Sequence, residues 1–230
     1  MDITAPPRIY YQDDTVTLFH GDCLIHPEWW TRGDVMVSDV PYGMGLRSGR
    51  GGAFGASAID GDDTTTARDK ALEFWGDRPA LIFGRWSVPR PAGTRMVLTW
   101  EKGEHVGMGD LTLPWKPNTE EVYVLGSGFV GHRGGSVLRH LAIAGTVGRA
   151  DQGTRSHPTE KPLSLMRELI AKCPPDAVIV DPFAGSGTTI RAAKDLGRKA
   201  IGVELEEKYC ESAAKRLAQD VLDLFGGEAA

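Results

Sequence analysis

The sequence predicts an α/β domain built on a mostly parallel sheet covered by helices. Short β-rich runs alternate with helical patterns, the order that produces strand–helix–strand units. Several runs, Val178-Ile179-Val180 among them, are apolar at successive positions, which suits strands covered on both faces. Later segments carry apolar residues at spacings of three and four, the mark of helices packed on one side.

Taken in order, strands are predicted over 15–19, 35–38, 80–83, 95–100, 121–125, 177–180 and 199–203. A helix follows Pro162, a residue suited to a first helical turn, with Leu163, Met166 and Ile170 on one face. A second covers 188–196, with Gly197 as its C-terminal stop. A third covers 207–225, where Cys210, Ala213, Leu217, Val221 and Leu224 form a stripe best read as core packing. Two stretches read as long loops: 43–66, rich in Gly, Ser, Asp and Thr, and 126–156, glycine-dotted and basic. Loops of this length in a compact domain usually bind something or move.

The 230 residues suffice for one domain, 1–230, with a full core. No apolar run approaches the roughly 20 residues of a membrane span. Residues 1–11 lack the apolar core of a secretory signal. Cys23, Cys173 and Cys210 are odd in number and show no CxxC spacing, so a reduced, cytoplasmic protein is expected. Cys and His are too scattered for a zinc site, and no metal is expected.

The net charge of −5 alone would argue against nucleic acid. The charge is uneven, however. Residues 126–156 carry Arg133, Arg139, Arg149 and Arg155 against Asp151 alone; Arg47 and Arg50 stand in 43–58 with no acid. The last thirty residues hold seven acids against three bases. A basic face opposite an acidic tail reconciles overall acidity with phosphate contacts.

Three motifs carry the chemistry. In Asp181-Pro-Phe183-Ala-Gly185-Ser-Gly187-Thr188-Thr, a strand ends, a glycine turn follows and a helix begins. Glycines there let backbone approach a ligand, and the helix N-terminus aims free N–H groups at it. This turn is neither G-x-G-x-x-G, since no third glycine follows Gly187, nor G-K-[ST], so an adenosine ligand without a long phosphate chain fits it better than a dinucleotide. Glu204 ends the next strand, 17 residues beyond Gly187, where an acid can accept ribose hydroxyls. Ser38-Asp39-Val40-Pro41-Tyr42-Gly43 also follows an apolar strand and lies on the ligand-binding edge. A carboxylate, a backbone carbonyl and an aromatic ring there suit a planar amine, though Pro-Tyr-Gly also ends many strands as a plain turn. His157-Pro-Thr159-Glu-Lys161-Pro162 reads as a polar helix entry, with Thr159 able to cap it and Lys161 able to pair with a ligand carboxylate.

Together these motifs resemble the amino-methylating DNA methyltransferases. Asp181–Thr189 is similar to their cofactor loop, Asp39-Val-Pro-Tyr to their catalytic Asp-Pro-Pro-Tyr, and His157–Pro162 to the segment entering the helix before the cofactor strand. Gly21-Asp22-Cys23 resembles their adenine-contacting motif. The catalytic motif comes first, as in the circularly permuted beta group. The resemblance implies a Rossmann-like methyltransferase sheet with one antiparallel strand, and S-adenosylmethionine as cofactor. It assigns Asp181, Phe183, Gly185 and Gly187 to the methionine and ribose part, Thr188 to helix N-terminal contacts and Glu204 to the ribose. Asp22 and Cys23 fall to the adenine, Thr159 and Lys161 to the methionine end, and Asp39, Val40, Pro41 and Tyr42 to the target base. Val40 departs from the family's proline; it still supplies the carbonyl but lacks the fixed φ.

The resemblance implies methylation of an exocyclic amine in double-stranded DNA, on a base turned out of the duplex. Adenine N6 is favoured by Asp39, since cytosine-N4 members more often begin that motif with Ser. On this reading 43–66 is a mobile DNA-facing loop and 126–156 a small target-recognition insert, with Arg47, Arg50, Arg133 and Arg139 as DNA contacts. A bacterial or phage-encoded restriction–modification type of enzyme is expected, with room for a homodimer. The rivals are N4-cytosine methylation, an RNA or protein-amide methyltransferase, and a binder whose catalytic motif has decayed.

Overall fold

The computed structural model describes residues 8–40, 65–104, 110–142 and 160–219. Among them, β1 (Arg8–Gln12), β2 (Val16–His20), β3 (Val35–Ser38), β4 (Ala80–Gly84), β5 (Met96–Glu101), β6 (Thr119–Leu125), β7 (Val137–Arg139), β8 (Ile179–Asp181) and β9 (Ala200–Glu204) form one sheet. Its order is β1-β2-β9-β8-β3-β4-β6-β5-β7. The helices are α1 (Thr66–Trp75), α2 (Leu163–Ile170), α3 (Thr188–Asp195) and α4 (Glu207–Ala218).

The sheet is mostly parallel, as expected. It holds two reversed strands rather than one. β6 runs antiparallel to β4 and β5, and β1 runs antiparallel to β2 at the far edge.

The central strands are buried at every position because alternate residues enter different cores. Val35 and Val37 of β3 face the core formed with α2, α3 and α4, while Met36 faces the other. Leu81 and Phe83 of β4 divide from Ala80 and Ile82 in the same way. The second core holds Ala71 and Trp75 of α1 with Trp30. The Trp30 and Trp75 rings stack at 5.9 Å, and the Trp30 indole donates to the Cys23 carbonyl at 2.9 Å.

This division places the ligand crevice. β8 leads through α3 to β9 on one side, and β3 leads through α1 to β4 on the other, with the helices on opposite faces. The two crossovers diverge between β8 and β3, and such a switch point opens a crevice at the strands' C-terminal ends. The residues there are Asp181 and Ser38-Asp39.

α1 was not expected from the sequence. Its buried positions are Arg68, Ala71 and Trp75, so an arginine stands where an apolar residue would complete the stripe. That guanidinium donates to the Pro89 carbonyl at 2.8 Å and to Asp69 at 2.8 Å. Within 126–156, the stretch expected to be a small target-recognition insert, β7 pairs with β5 in the main sheet. Within that stretch, 143–156 lie outside the described residues.

Candidate active site

Three neighbouring strand ends build the site. Ser38 ends β3 and Asp39 follows it, Asp181 ends β8, and Glu204 ends β9. The Ser38 hydroxyl donates to Asp181 Oδ1 at 2.6 Å, tying the end of β3 to the end of β8. The same oxygen accepts the Phe183 amide at 3.1 Å. Burial raises the Asp181 carboxyl, against hydrogen bonds from Ser38, Thr189 and the Phe183 amide. Asp181 thus shapes the turn from beneath, leaving half-buried Phe183 and Gly185 as its surface.

The turn needs its two glycines for different reasons. Gly185 has φ +52° and Gly187 φ +79°, the left-handed region that L side chains avoid. An added Cβ at Gly185 would enter open space, so this is where a ligand can lie against backbone. An added Cβ at Gly187 would meet the Ala213 Cβ at 2.8 Å, so this position lets α3 pack on α4. The first-turn amides of α3 have no partner within the helix, the usual basis of a polar ligand site. The Thr188 hydroxyl already accepts Arg216 at 2.7 Å, leaving its backbone as its contribution.

Glu204 lies beneath the glycine turn. Its Oε2 accepts the Gly185 amide at 2.8 Å and its Oε1 accepts the Glu206 amide at 2.7 Å. Burial pushes its carboxyl up to about 7, with those amides opposing the rise. Each oxygen keeps a second acceptor site. The open space beside Gly185 and a carboxylate beneath it fit a hydroxyl-bearing adenosine. The raised value has two consequences. The contribution of Glu204 to ligand-free stability is fully present below its unfolded value and is lost as pH rises through about 7. Ribose hydroxyls bind better to the ionised form, so cofactor affinity should rise between about pH 6 and about pH 8. Calorimetric titration across that range checks it, and a flat profile would argue against the ribose role.

Asp39 is half-buried, and Lys161 donates to its Oδ2 at 2.5 Å. Its Oδ1 is buried and meets no hydrogen-bond donor among the described residues. Burial raises the carboxyl to about 6; Lys161 opposes the rise and Glu120 adds to it. Lys161, expected at a ligand's carboxylate, thus pairs with the carboxylate of Asp39. Its ammonium also lies 3.3 Å from Glu120 Oε2 and 5.0 Å from the Phe83 ring.

The other expected site residues divide. Val40 is buried in the second core, so its side chain is accommodated where the family has proline. Asp22 Oδ1 accepts the Leu24 amide at 2.8 Å and shapes the turn after β2; Cys23 is buried in the core. Pro41, Tyr42, Arg47, Arg50 and Thr159 lie outside the described residues, as does most of 43–66. The two described arginines sit at opposite edges of the sheet. Arg139 ends β7 at the site edge, paired with Glu101 at 3.1 Å. Arg133 follows His132, whose carbonyl accepts Lys172 beyond the C-terminus of α2, at the edge away from the site. Glu120 and Ser38 escaped notice as site residues. Ser38 was visible as a polar end to an apolar strand; Glu120 had no local signal.

The N6/N4 family described as DNA methylase matches residues 55–215, most of the chain and the whole cofactor turn. The chain belongs to this DNA methylase family. It is 28% identical over 195 residues to a putative methylase, YubD, of Escherichia coli strain K12, covering 80% of this chain and 82% of that one. Its fold is that of the M1.HpyAVI–SAM complex, with TM-score 0.60, 20% identity and coverage of 89% and 100%. It is equally that of the PvuII DNA methyltransferase, titled cytosine-N4-specific, with TM-score 0.60, 15% identity and coverage of 93% and 90%. No described helix of the methylase is long and apolar enough to cross a membrane.

Proposed function

We propose that this methylase transfers a methyl group from S-adenosylmethionine to the N6 amine of adenine in double-stranded DNA. The observation that carries the reading is Asp39 Oδ1: a buried acceptor that meets no donor among the described residues, at the strand end beside the glycine turn. An exocyclic amine is a weak nucleophile because its lone pair is shared with the ring. Asp39 Oδ1 accepts one N–H and the Val40 carbonyl the other, which localises that pair on nitrogen. Bound S-adenosylmethionine supplies an electrophilic methyl group on a positively charged sulfur. The turn and Glu204 hold the adenosine part, so the remaining task is alignment, which bound geometry makes effectively unimolecular. After transfer the nitrogen carries a surplus proton, and Asp39, with its carboxyl near 6, can take it and pass it on. No protein nucleophile is needed.

Asp at the head of the motif supports adenine, and the fold shared with a cytosine-N4 enzyme keeps cytosine as the second reading. Expression in a methylation-deficient bacterium followed by single-molecule sequencing separates them. Modified adenines in one sequence context support the proposal, and modified cytosines would replace it. On this reading Arg139 contacts DNA phosphate from the site edge, and its exposed pair with Glu101, which stabilises little, gives way. Arg139→Ala should weaken DNA binding and reduce the salt slope by about one, while Arg133→Ala should do less. Binding titrations at several salt concentrations measure both. Equal losses would place the DNA face elsewhere.

A further inference from the structure

We infer that Glu120, through Lys161, is a positioning residue for the methyl-transfer step: it holds the ammonium on one oxygen of Asp39 and so reserves the other for the amine. The inference rests on the reading of Asp39 as the amine acceptor.

Four charged side chains form a row of alternating sign. Lys102 pairs with Glu120 Oε1, Glu120 Oε2 lies 3.3 Å from Lys161 Nζ, and Lys161 donates to Asp39 Oδ2 at 2.5 Å. The row comes from distant parts of the chain: Lys102 just after β5, Glu120 on β6, Lys161 just before α2, Asp39 after β3. It is walled by aromatic rings. Lys161 lies 5.0 Å from the Phe83 centroid and 6.0 Å from Trp100, and Lys102 lies 5.3 Å from Trp100. Charges this secluded interact strongly, and removing one member leaves another uncompensated.

The row does two things for Asp39. With Lys161 on Oδ2, Oδ1 is the oxygen that meets no donor among the described residues, so an incoming N–H finds its open acceptor there and the target amine is directed to that side. Glu120 also divides the Lys161 charge. An ammonium answering to Asp39 alone would draw electron density from the carboxylate and leave Oδ1 a poorer acceptor. Burial raises Glu120 less than Lys161 and Lys102 lower it, so it stays ionised for this role. The charged groups facing Asp39 are Lys161, Glu120 and Asp181, and their effects have known signs: Lys161 lowers the Asp39 carboxyl, and Glu120 and Asp181 raise it.

Those signs supply a test that a merely structural role would not pass. Turnover of Glu120→Gln, Lys161→Met and Asp39→Asn is measured against pH, with cofactor affinity measured alongside. Glu120→Gln should lower kcat roughly tenfold or more with cofactor affinity unchanged, and move the acid limb of the profile to lower pH. Lys161→Met should move the same limb to higher pH. Opposite movements establish the row as the setting of Asp39. The inference is overturned if the limb stays in place in Glu120→Gln, if both variants move it the same way, or if Glu120→Gln loses cofactor affinity in step with turnover. An active Asp39→Asn variant would instead sink the reading of Asp39, and the inference with it.

Discussion

Asp39→Ala should lower methyl transfer by roughly 10²–10⁴-fold, the range general for a lost proton-handling side chain. Cofactor affinity should change by less than about tenfold, or 1.4 kcal/mol, because the proposal gives that ligand to the turn and Glu204, on other strands. Asp39→Asn sharpens the prediction. Lys161 is a donor held at Oδ2, so the amide must turn its oxygen toward the ammonium. The NH2 group then occupies the place of Oδ1 and presents a donor to a donor. The isosteric variant should therefore be about as inactive as the truncated one. Single-turnover rates with saturating cofactor measure both. An Asn variant close to wild type would mean that Oδ1 is not the acceptor.

Gly187→Ala should give the largest loss of stability among changes in the cofactor turn. The left-handed backbone costs about 1 kcal/mol for a residue with a Cβ, and overpacking typically adds about 1–3 kcal/mol. The new methyl carbon would stand 2.8 Å from the Ala213 Cβ, on a helix anchored by buried Cys210, Ala213 and Leu217. For a chain of this size each kcal/mol moves Tm by roughly 2–4 °C, so a fall of about 4–16 °C is expected. Gly185→Ala is the matched control. Its φ is also positive but its added Cβ meets open space, so Tm should fall by only a few degrees while cofactor affinity suffers more. Thermal melts with and without cofactor distinguish the two. Equal melting losses would show that the contact with α4 does not matter.

Much of this architecture was legible in local pattern. The central strands declared themselves because covering on both faces makes every position apolar, as in Val35-Met36-Val37. The stop after α3 was readable because Leu196 is followed by Gly197 at φ +66°, a conformation that favours glycine. What hid was structure whose stabilisation is not local. α1 escaped because a buried arginine breaks its apolar stripe. β1 is an edge strand with no fully buried position and β7 is three residues long, so neither shows the pattern of a strand covered on both faces. The site follows the same division. Asp39, Asp181 and Glu204 each end an apolar strand and could be read from that placement. Glu120 enters only because an antiparallel strand returns it to the edge where β3 ends, and Lys161 sits there facing both acids. Spacing along the chain does not encode that meeting.

The most direct test of the account is transfer itself. Purified protein is incubated with unmethylated double-stranded DNA and S-adenosylmethionine labelled on the methyl group, the DNA is digested to nucleosides, and the labelled product is identified by mass spectrometry. The account predicts label on the exocyclic nitrogen of adenine, as N6-methyladenine, dependent on Asp39. Label on a ring carbon, or no label on DNA from protein that binds the cofactor, would contradict it.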